Sequence, residues 1–174
     1  MSAQFLTPDQ FSVACDALPL VSIDLVITSP HRQILLGQRN NAPARNYWFT
    51  PGGRIRKNEP LNDAKSRIAQ GELGLSSSIW ERATLMGAFD HFYPDSSFNP
   101  KVSTHYVNLP HWVKLKDDEI QHLTLPQGPH EQHAQWRWFN LADVESDPSV
   151  HPYARAYATW VAQQIEIAAP PVAN

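Results

Sequence analysis

The chain lacks the features that mark secreted and membrane proteins. It has a single cysteine, Cys15, so no disulfide can form within one copy of the chain. Cys15 falls on an amphipathic helical pattern, which favours a small buried side chain over a reactive thiol. No apolar run reaches the ~20 residues needed to cross a bilayer, and the first residues lack the basic-then-apolar order of a secretion signal. We therefore expect a soluble cytoplasmic protein with no membrane partner.

An excess of positive charge is also missing. Lysine and arginine total 14 against 17 aspartate and glutamate residues, which gives a net charge of -3 and a pI near 6.2. Surfaces that bind nucleic acid carry the opposite balance, so we expect no nucleic-acid partner. The 174 residues show neither repeats nor a linker. They are predicted to form one α/β domain over 1–174, with a loose tail at about 168–174.

Helical and strand-like patterns alternate along this domain. Thr7, Pro8 and Gln10 form a capping-box pattern, which predicts a helix over about 7–18. Residues 19–28 and 33–39 are rich in aliphatic side chains and predict a hairpin. Helical spacing resumes after Pro60 and is ended by Gly74. The remaining predictions are strands over 47–50, 83–93, 102–115 and 134–141, a polar loop-rich segment over about 116–134, and a last helix over about 152–167.

Carboxylates are scarce where a metal-binding pattern needs them, in PGGRIRKNEPLNDAKSRIAQGELGL, residues 51–75. A glycine-rich loop that leads into a helix bearing an acid can hold a hard cation against phosphates. Gly52 and Gly53 lack a Cβ, so the loop backbone can approach a ligand closely. Glu72 is the lone acid of its helical turn, one turn after Ile68.

This stretch resembles the Nudix box, G-x5-E-x7-R-E-U-x-E-E-x-G-U, in which U is aliphatic. The matching positions are Gly53, Glu59, Arg67, Glu72, Gly74 and Leu75. Ile68 and Gly71 stand in place of glutamates, and Ala69 is a poor aliphatic residue. The box-like region at 53–75 implies an α/β Nudix fold, a mixed β-sheet sandwiched between α-helices. The missing acids are those that usually hold two or three metal ions.

The resemblance extends to one subfamily, the GDP-mannose mannosyl hydrolases, from about Phe5 to Tyr157. The similar segments are PLVSIDLVI, LLGQRNNAPARNYWFTPGGRI, GELGL, HFY, THYV and EQH, which occur in the order of that family. The resemblance implies hydrolysis of GDP-mannose, with GDP-glucose as a second candidate, to GDP and free sugar. A homodimer is expected on the same basis.

The same resemblance implies a single Mg²⁺ per active site, with Mn²⁺ as a substitute. Its ligands would be the side chain of Glu72, the carbonyl of Gly52 and the side chain of Gln132. His133, the next residue, would be the general base. A zinc site at His130 and His133 is disfavoured, because zinc needs three or four nitrogen or sulfur ligands and no third one is clustered nearby.

Further residues are assigned to the substrate by resemblance. Arg39 and Arg54 are expected to clamp the diphosphate, although surface charge on a hairpin end and a loop is the alternative. Tyr106 would hydrogen-bond the leaving oxygen. Asp24 lies within an apolar strand, where an unpaired acid is costly. It either pairs with an arginine or holds sugar hydroxyls, and the resemblance favours the sugar, with His91 as a similar candidate.

Three more positions are expected near the substrate. Arg67 either contacts phosphate or pairs with Glu59 to brace the loop onto the helix. Gln38 stands where similar proteins often carry a lysine, so one phosphate contact is expected to be weaker. The Gln4–Phe5 region, and Phe5 in particular, resembles the part that contacts guanine across a dimer.

A single carboxylate suggests which bond is broken. One Mg²⁺ can bridge a diphosphate, but one ion is poorly suited to generate hydroxide as well. A diphosphate neutralised in this way is a good leaving group from C1 of a sugar, which departs through an oxocarbenium-like state. Water then attacks with inversion and needs only a modest base. A neutral histidine suits that task.

Two other functions are compatible with these residues. An ordinary Nudix pyrophosphatase would recruit acids from elsewhere, such as Glu131 or residues 117–119, and would yield GMP and a sugar 1-phosphate. A degenerate domain would bind a nucleotide sugar without turnover. The pairing of a metal-type Gln132 with His133 disfavours the pyrophosphatase, and the retained Glu72 disfavours the non-catalytic domain.

Overall fold

The structure, a computed structural model that describes residues 6–167, is organised around one long strand, β1. The strands are β1 Leu20–Thr28, β2 Gln33–Arg39, β3 Trp48–Phe49, β4 Gly52–Arg54, β5 Thr84–Leu85, β6 Phe89–Tyr93, β7 Thr104–Asn108, β8 His111–Lys114 and β9 His133–Asn140. The helices are α1 Pro8–Ala17, α2 Leu61–Leu73, α3 Ser77–Trp80, α4 Asp117–Ile120, α5 Leu141–Val144 and α6 Pro152–Ile167.

The strands form a mixed sheet. β1 pairs antiparallel with β2 and β4, and parallel with β7 and β8. β2 also pairs with β3 and β9, β7 pairs with β6, and β8 pairs with β5. The predicted hairpin of β1 and β2 is confirmed by the pairing of Thr28 with Ile34.

Helices cover both faces of this sheet. Ile23, Leu25 and Ile27 of β1 pack into a core cluster with α2 and α3, whereas Val26 packs with α5 and α6 on the opposite face. This alternation follows from the two-residue period of a strand. The prediction of a mixed sheet sandwiched between helices is confirmed. The same alternation directs Asp24 towards α6, the face that holds the polar groups described below.

The ends of the two N-terminal helices follow from local chemistry. Thr7 and Gln10 make the reciprocal bonds of the predicted capping box at the start of α1. Gly74 ends α2 in the left-handed region at φ 64°, where its N–H reaches the carbonyls of Ala69 and Gln70. The end of α2 is therefore fixed just after Glu72.

Two segments predicted as single strands are each split. The segment 83–93 is interrupted at Gly87, whose φ of 137° takes the chain out of the strand conformation. The segment 102–115 is interrupted at Leu109 and Pro110, because Pro110 has no N–H to donate to a strand ladder. The break lets β7 and β8 pair with different parts of β1.

The polar segment 116–134 is less irregular than its composition predicts. Its first residues form α4, whose start is closed by a bond from the Lys116 N–H to Glu119. Within residues 6–167, no helix has the length and apolarity needed to span a membrane. The predicted tail at 168–174 and the predicted contact residue Phe5 lie outside the described residues.

Candidate active site

A cavity of about 290 Å³ opens where β1, β4, β6 and β7 meet the loop after β2. The predicted site residues on its wall are Asp24, Arg39, Gly52, Arg54, His91, Tyr106 and Gln132. These residues come from strands and loops distant in sequence, so the fold gathers most of the predicted site around one space. The size of the cavity suits part of a small polar ligand.

The three predicted metal ligands lie together beside this cavity. The Gln132 amide nitrogen lies 3.4 Å from the Gly52 carbonyl oxygen and 3.3 Å from Glu72 Oε2. The Gly52 carbonyl and the Glu72 carboxylate therefore converge on one position, which the Gln132 amide group occupies as a donor to both. A half-turn of the Gln132 amide would present its oxygen instead, giving three oxygen groups around that spot. This donor set fits one hard divalent cation.

Asn40 holds the turn that carries Gln132. Its amide nitrogen donates to the carbonyls of Gly128 and Glu131 at 2.8 and 2.9 Å, and its backbone N–H donates to the Gln132 carbonyl at 3.1 Å. Asn40 directly follows Arg39 of β2. The end of β2 thus fixes both a cavity arginine and the turn that brings Gln132 to Glu72.

The charge of the Glu72 carboxylate is only partly compensated by nearby positive charge. The pKa of Glu72 is raised to about 7, chiefly by burial; the Arg39 charge opposes this rise and the smaller effect of the Glu131 charge adds to it. Residues 6–167 contain no group of three or more histidine, cysteine, aspartate or glutamate side chains able to hold a metal ion. A cation at this place would therefore meet a single carboxylate and would compensate it.

This pKa predicts that metal affinity depends on pH. A proton and a cation compete for the Glu72 carboxylate, so affinity for Mn²⁺ should fall as pH is lowered from about 8 to about 6. The fall should approach about tenfold per pH unit once the pH lies below the pKa. Titration of free Mn²⁺ by electron paramagnetic resonance measures it. An affinity that stays constant over this range would contradict the ligand role of Glu72.

The floor of the cavity is a buried polar cluster. Asp24 is 5% exposed, and burial raises its pKa to about 7 against the opposing effects of Asn108, Tyr157 and Arg39. His91 is 2% exposed, and burial lowers its pKa to about 4, so the imidazole is neutral near pH 7. Neutral imidazole and buried carboxyl groups offer directed hydrogen bonds to hydroxyl groups of a ligand.

Arg54 and Tyr106 lie on another part of the wall. The Arg54 guanidinium lies 4.3 Å from the ring centre of Phe11, and Phe11 meets Phe98 edge-on at 5.4 Å. Burial raises the pKa of Tyr106, so its hydroxyl keeps its hydrogen and can donate. Phe98 is 60% exposed on the cavity rim. The wall therefore combines a cation, a donor hydroxyl and an aromatic edge.

His133 lies next to this site but off the cavity wall. It is the first residue of β9, pairs with Arg39 and is 1% exposed. Its Nδ1 lies 3.6 Å from Glu72 Oε2, and its Nε2 has no hydrogen-bond partner within the described part of the chain. Burial, followed by the Arg39 charge, lowers the pKa of His133 to about 3. The imidazole is thus neutral but enclosed.

Gly37 makes room for this imidazole. A Cβ on Gly37 would lie 2.5 Å from His133 Cδ2 and 2.7 Å from its Cγ, so Gly37→Ala should displace the ring and destabilise the fold by about 1–3 kcal/mol. Gly71→Ala is the matched control, because a Cβ at that position would meet nothing within 4 Å and alanine favours α2 by about 1 kcal/mol. Thermal unfolding of both variants checks the opposite signs, and equal shifts would contradict the placement of His133.

Two predicted substrate residues have other partners. Arg67 Nε and Nη2 donate to Glu59 at 2.5 and 2.8 Å, and Nη2 also donates to the Arg54 carbonyl at 3.0 Å. This is the bracing arrangement that the sequence left open beside phosphate contact. Gln38 accepts a bond from Gln135 at 2.9 Å. Neither Arg67 nor Gln38 lines the cavity.

Several residues near the site carried no functional signal in the sequence. Asn108 lies two residues after Tyr106 on β7, so strand alternation could have placed both on one face. Tyr157 belongs to the regular apolar stripe of α6 and looks like an ordinary core residue. Asn40 lies in an irregular loop. Long-range hydrogen bonds, which sequence spacing does not encode, give these residues their places.

Comparison with known proteins identifies the family. The NUDIX domain family matches residues 18–161. The "Low-salt glycan biosynthesis protein Agl8" of Haloferax volcanii is 38% identical over 149 residues, which cover 86% of each chain. The crystal structure of a MutT NUDIX hydrolase from Burkholderia pseudomallei is similar with a TM-score of 0.65 and 26% identity, over 83% of this chain and 98% of that one.

A second solved structure shares the fold at lower identity. The NUDIX domain of Shewanella oneidensis NrtR, complexed with ADP ribose, aligns with a TM-score of 0.62 and 17% identity, over 92% of this chain and 99% of that one. The family match covers most of the chain and includes the loop and helix that present Gly52 and Glu72. The chain therefore belongs to the Nudix family of hydrolases.

Proposed function

We propose that the protein hydrolyses a GDP-sugar, GDP-mannose first and GDP-glucose as a second candidate, to GDP and free sugar. Water attacks C1 of the sugar and inverts its configuration. The proposal rests on one observation: a single carboxylate, Glu72, meets a carbonyl and an amide beside the cavity. The Haloferax volcanii relative, whose name refers to glycan biosynthesis, is consistent with a sugar-nucleotide substrate.

Members of the family typically use a divalent metal ion such as Mg²⁺ or Mn²⁺. Glu72, Gly52 and Gln132 would hold one such ion. When bound, it would neutralise the charge of the diphosphate and so make GDP a better leaving group. One carboxylate suits one ion, whereas attack at phosphorus is commonly supported by several.

Different cavity residues bind the diphosphate, the leaving oxygen and the sugar. Arg39 and Arg54 bind phosphate oxygens, since guanidinium groups offer rigid paired donors. Tyr106 donates a hydrogen bond to the oxygen that leaves C1 and keeps its proton. Asp24 and His91 on the floor accept hydrogen bonds from hydroxyl groups of the sugar and so orient C1. In this proposal the diphosphate lies towards the arginines and the hexose lies on the floor.

His133 takes the proton of the attacking water at Nε2, the ring nitrogen that has no hydrogen-bond partner within residues 6–167. The imidazole is enclosed in the described conformation. The step therefore requires the turn from Gly128 to Gln132 to move and admit water. Asn40 holds that turn through three hydrogen bonds, which its opening has to break.

Two of the four acids suggested for a pyrophosphatase, at 117–119 and 131, have partners elsewhere. Asp117 Oδ1 lies 3.3 Å from His31 Nε2, and Glu119 accepts two bonds from Arg82, one of 2.7 Å. Glu131 is exposed and is close enough to raise the pKa of Glu72. Glu131 is therefore the acid to test for the rival reaction.

Hydrolysis in ¹⁸O-water locates the bond that breaks. The protein is incubated with GDP-mannose and Mg²⁺, and the products are analysed by mass spectrometry. Label in mannose is expected. Label in GMP or mannose 1-phosphate would replace the proposal by pyrophosphatase activity, and absence of product from both GDP-mannose and GDP-glucose would favour a binding domain.

A further inference from the structure

The hydroxyl of Tyr157 contacts the cavity floor from behind. Tyr157 lies on α6, is 1% exposed and is not on the cavity wall. Its oxygen lies 3.0 Å from Asp24 Oδ2, 2.9 Å from His91 Nε2 and 3.2 Å from Asn108 Oδ1. These three residues line the cavity and belong to β1, β6 and β7. One hydroxyl thus touches three wall residues on three strands.

The donors and acceptors around this hydroxyl can be assigned. A phenol has one hydrogen to donate and lone pairs to accept. The Asn108 amide nitrogen donates to Ser22 Oγ at 2.8 Å, which turns the Asn108 oxygen towards Tyr157 as an acceptor. Asp24 Oδ2 is a second acceptor on the same side. The single hydrogen of Tyr157 is therefore directed at these two oxygens.

This assignment determines the tautomer of His91. Above pH about 7, Asp24 is mostly ionised and has no hydrogen of its own to donate. If Nε2 then accepted the phenol hydrogen, the oxygens of Asp24 and Asn108 would face Tyr157 without a hydrogen between them, which is costly in a buried place. Nε2 must therefore carry the hydrogen and donate to the phenol oxygen. Nδ1 then keeps its lone pair, 3.5 Å from the Tyr93 hydroxyl, which also lines the cavity.

The imidazole is also held in orientation. The Tyr153 ring stacks on His91 at 3.8 Å with an interplanar angle of 1°, and the Tyr153 hydroxyl is bonded to the backbone of Phe92 on both its N–H and its carbonyl. The stack fixes the plane of the ring, and a half-turn within that plane would lose the bond to Tyr157. A fixed ring with a fixed tautomer presents the same atom to every ligand.

We propose that Tyr157 is a positioning residue that sets the Nε2–H tautomer of His91 and the orientation of the Asp24 carboxyl group. The cavity floor then offers two hydrogen-bond acceptors to adjacent hydroxyl groups of a sugar: the Asp24 carboxyl group, and Nδ1 of His91 once the sugar replaces its long 3.5 Å contact with the Tyr93 hydroxyl. The substrate class is a nucleotide sugar that retains both hydroxyl donors at this end. The identity of the ligand in this inference rests on the proposed function. The tautomer of His91 and the orientation of Asp24 do not.

The tautomer can be measured on the unaltered protein without substrate. Protein labelled with ¹⁵N-histidine is examined by long-range ¹H–¹⁵N correlation, with His91→Gln used only to assign the signals. At a pH above about 7, where Asp24 is mostly ionised, His91 is expected to show hydrogen on Nε2 and none on Nδ1. A hydrogen on Nδ1 would overturn the proposal, and the hydrogen position itself is measured on the unaltered protein.

Tyr157→Phe removes the hydroxyl and keeps the ring. We expect His91 to become a mixture of tautomers and kcat/KM for GDP-mannose to fall by about 10- to 100-fold. The inhibition constant of GDP, which lacks the sugar, should change by less than about threefold. Tyr153→Phe is the matched control from the same helix, because the hydrogen bonds of its hydroxyl within residues 6–167 go to the Phe92 backbone and not to the cavity floor. It should leave the His91 tautomer unchanged.

Failure of the inference and failure of the proposed function give different results. If Tyr157→Phe leaves the His91 tautomer unchanged, or weakens GDP and GDP-mannose equally, the positioning role is wrong. If the unaltered protein does not turn over GDP-mannose, the substrate assignment fails while the tautomer measurement still decides the role of Tyr157.

Discussion

Replacing Glu72 by glutamine is expected to reduce kcat/KM by about 10³-fold or more. The change removes the single carboxylate that meets Gly52 and Gln132, and bound metal supplies several kcal/mol of charge stabilisation in such reactions. Affinity for Mn²⁺ should fall by at least about 10- to 100-fold. The metal-free variant should be as stable as the parent or more so, since a buried, undercompensated acid is lost. Steady-state kinetics, Mn²⁺ titration and thermal unfolding measure the three effects.

Glu131→Gln is the matched control for this variant. It makes the same chemical change at a neighbouring acid whose charge raises the pKa of Glu72 but which is exposed on the turn. We expect its kcat/KM to stay within about threefold of the parent, as for most surface substitutions. A large loss with Glu131→Gln would instead favour the pyrophosphatase, which needs that acid.

The fold was predictable because its signals are local. The apolar run of β1, the capping box at Thr7 and the terminating Gly74 each act within a few residues, and each defines an element of the structure. The splits at Gly87 and Pro110 were not predicted. The break at Pro110 lets β7 and β8 pair with different parts of β1, and the break at Gly87 lets β5 pair with β8 and β6 pair with β7. Both breaks are properties of the assembled sheet.

The replaced acids of the box have a structural explanation that the sequence alone did not contain. Ile68 is 3% exposed in the core cluster shared by α2 and β1, and its Cγ1 would lie 3.3 Å from a Cβ on Gly53. It packs beneath the glycine loop, where a carboxylate would be desolvated. Gly71 faces open space. Loss of these acids therefore leaves the loop and Glu72 in place.

The arrangement of the candidate site was only partly accessible from the sequence. Gly52 and Glu72 lie within one local motif, but Gln132 lies 60 residues after Glu72 and could be placed only through family resemblance. The bond from Tyr157 to Asp24 spans 133 residues and had no signal at all. Burial of His133 was likewise unpredicted, because it depends on Gly37 and Trp136 packing against its ring.

His133→Gln is expected to lower kcat by about 10²–10⁴-fold while Mn²⁺ affinity stays within about threefold of the parent. A base acts when deprotonated, so kcat falls as pH drops through the pKa of the base. In the enclosed conformation the pKa of His133 is lowered to about 3, whereas an imidazole released to water returns towards about 6.5. If the turn opens during turnover, the parent should show an acid limb near the higher value. The pH profile of kcat, measured at saturating metal so that Glu72 stays metal-bound, tests this.

His130→Gln provides the control, because it makes the same substitution three residues earlier at an exposed position. It should keep both the rate and the acid limb, whereas His133→Gln should lose the limb together with the rate. An unaltered rate in His133→Gln would remove this residue from the chemistry. Parallel losses of rate and Mn²⁺ affinity would show that the imidazole supports Glu72 rather than activating water, since Nδ1 lies 3.6 Å from the Glu72 carboxylate. The ratio of the two losses therefore separates a base from a packing residue.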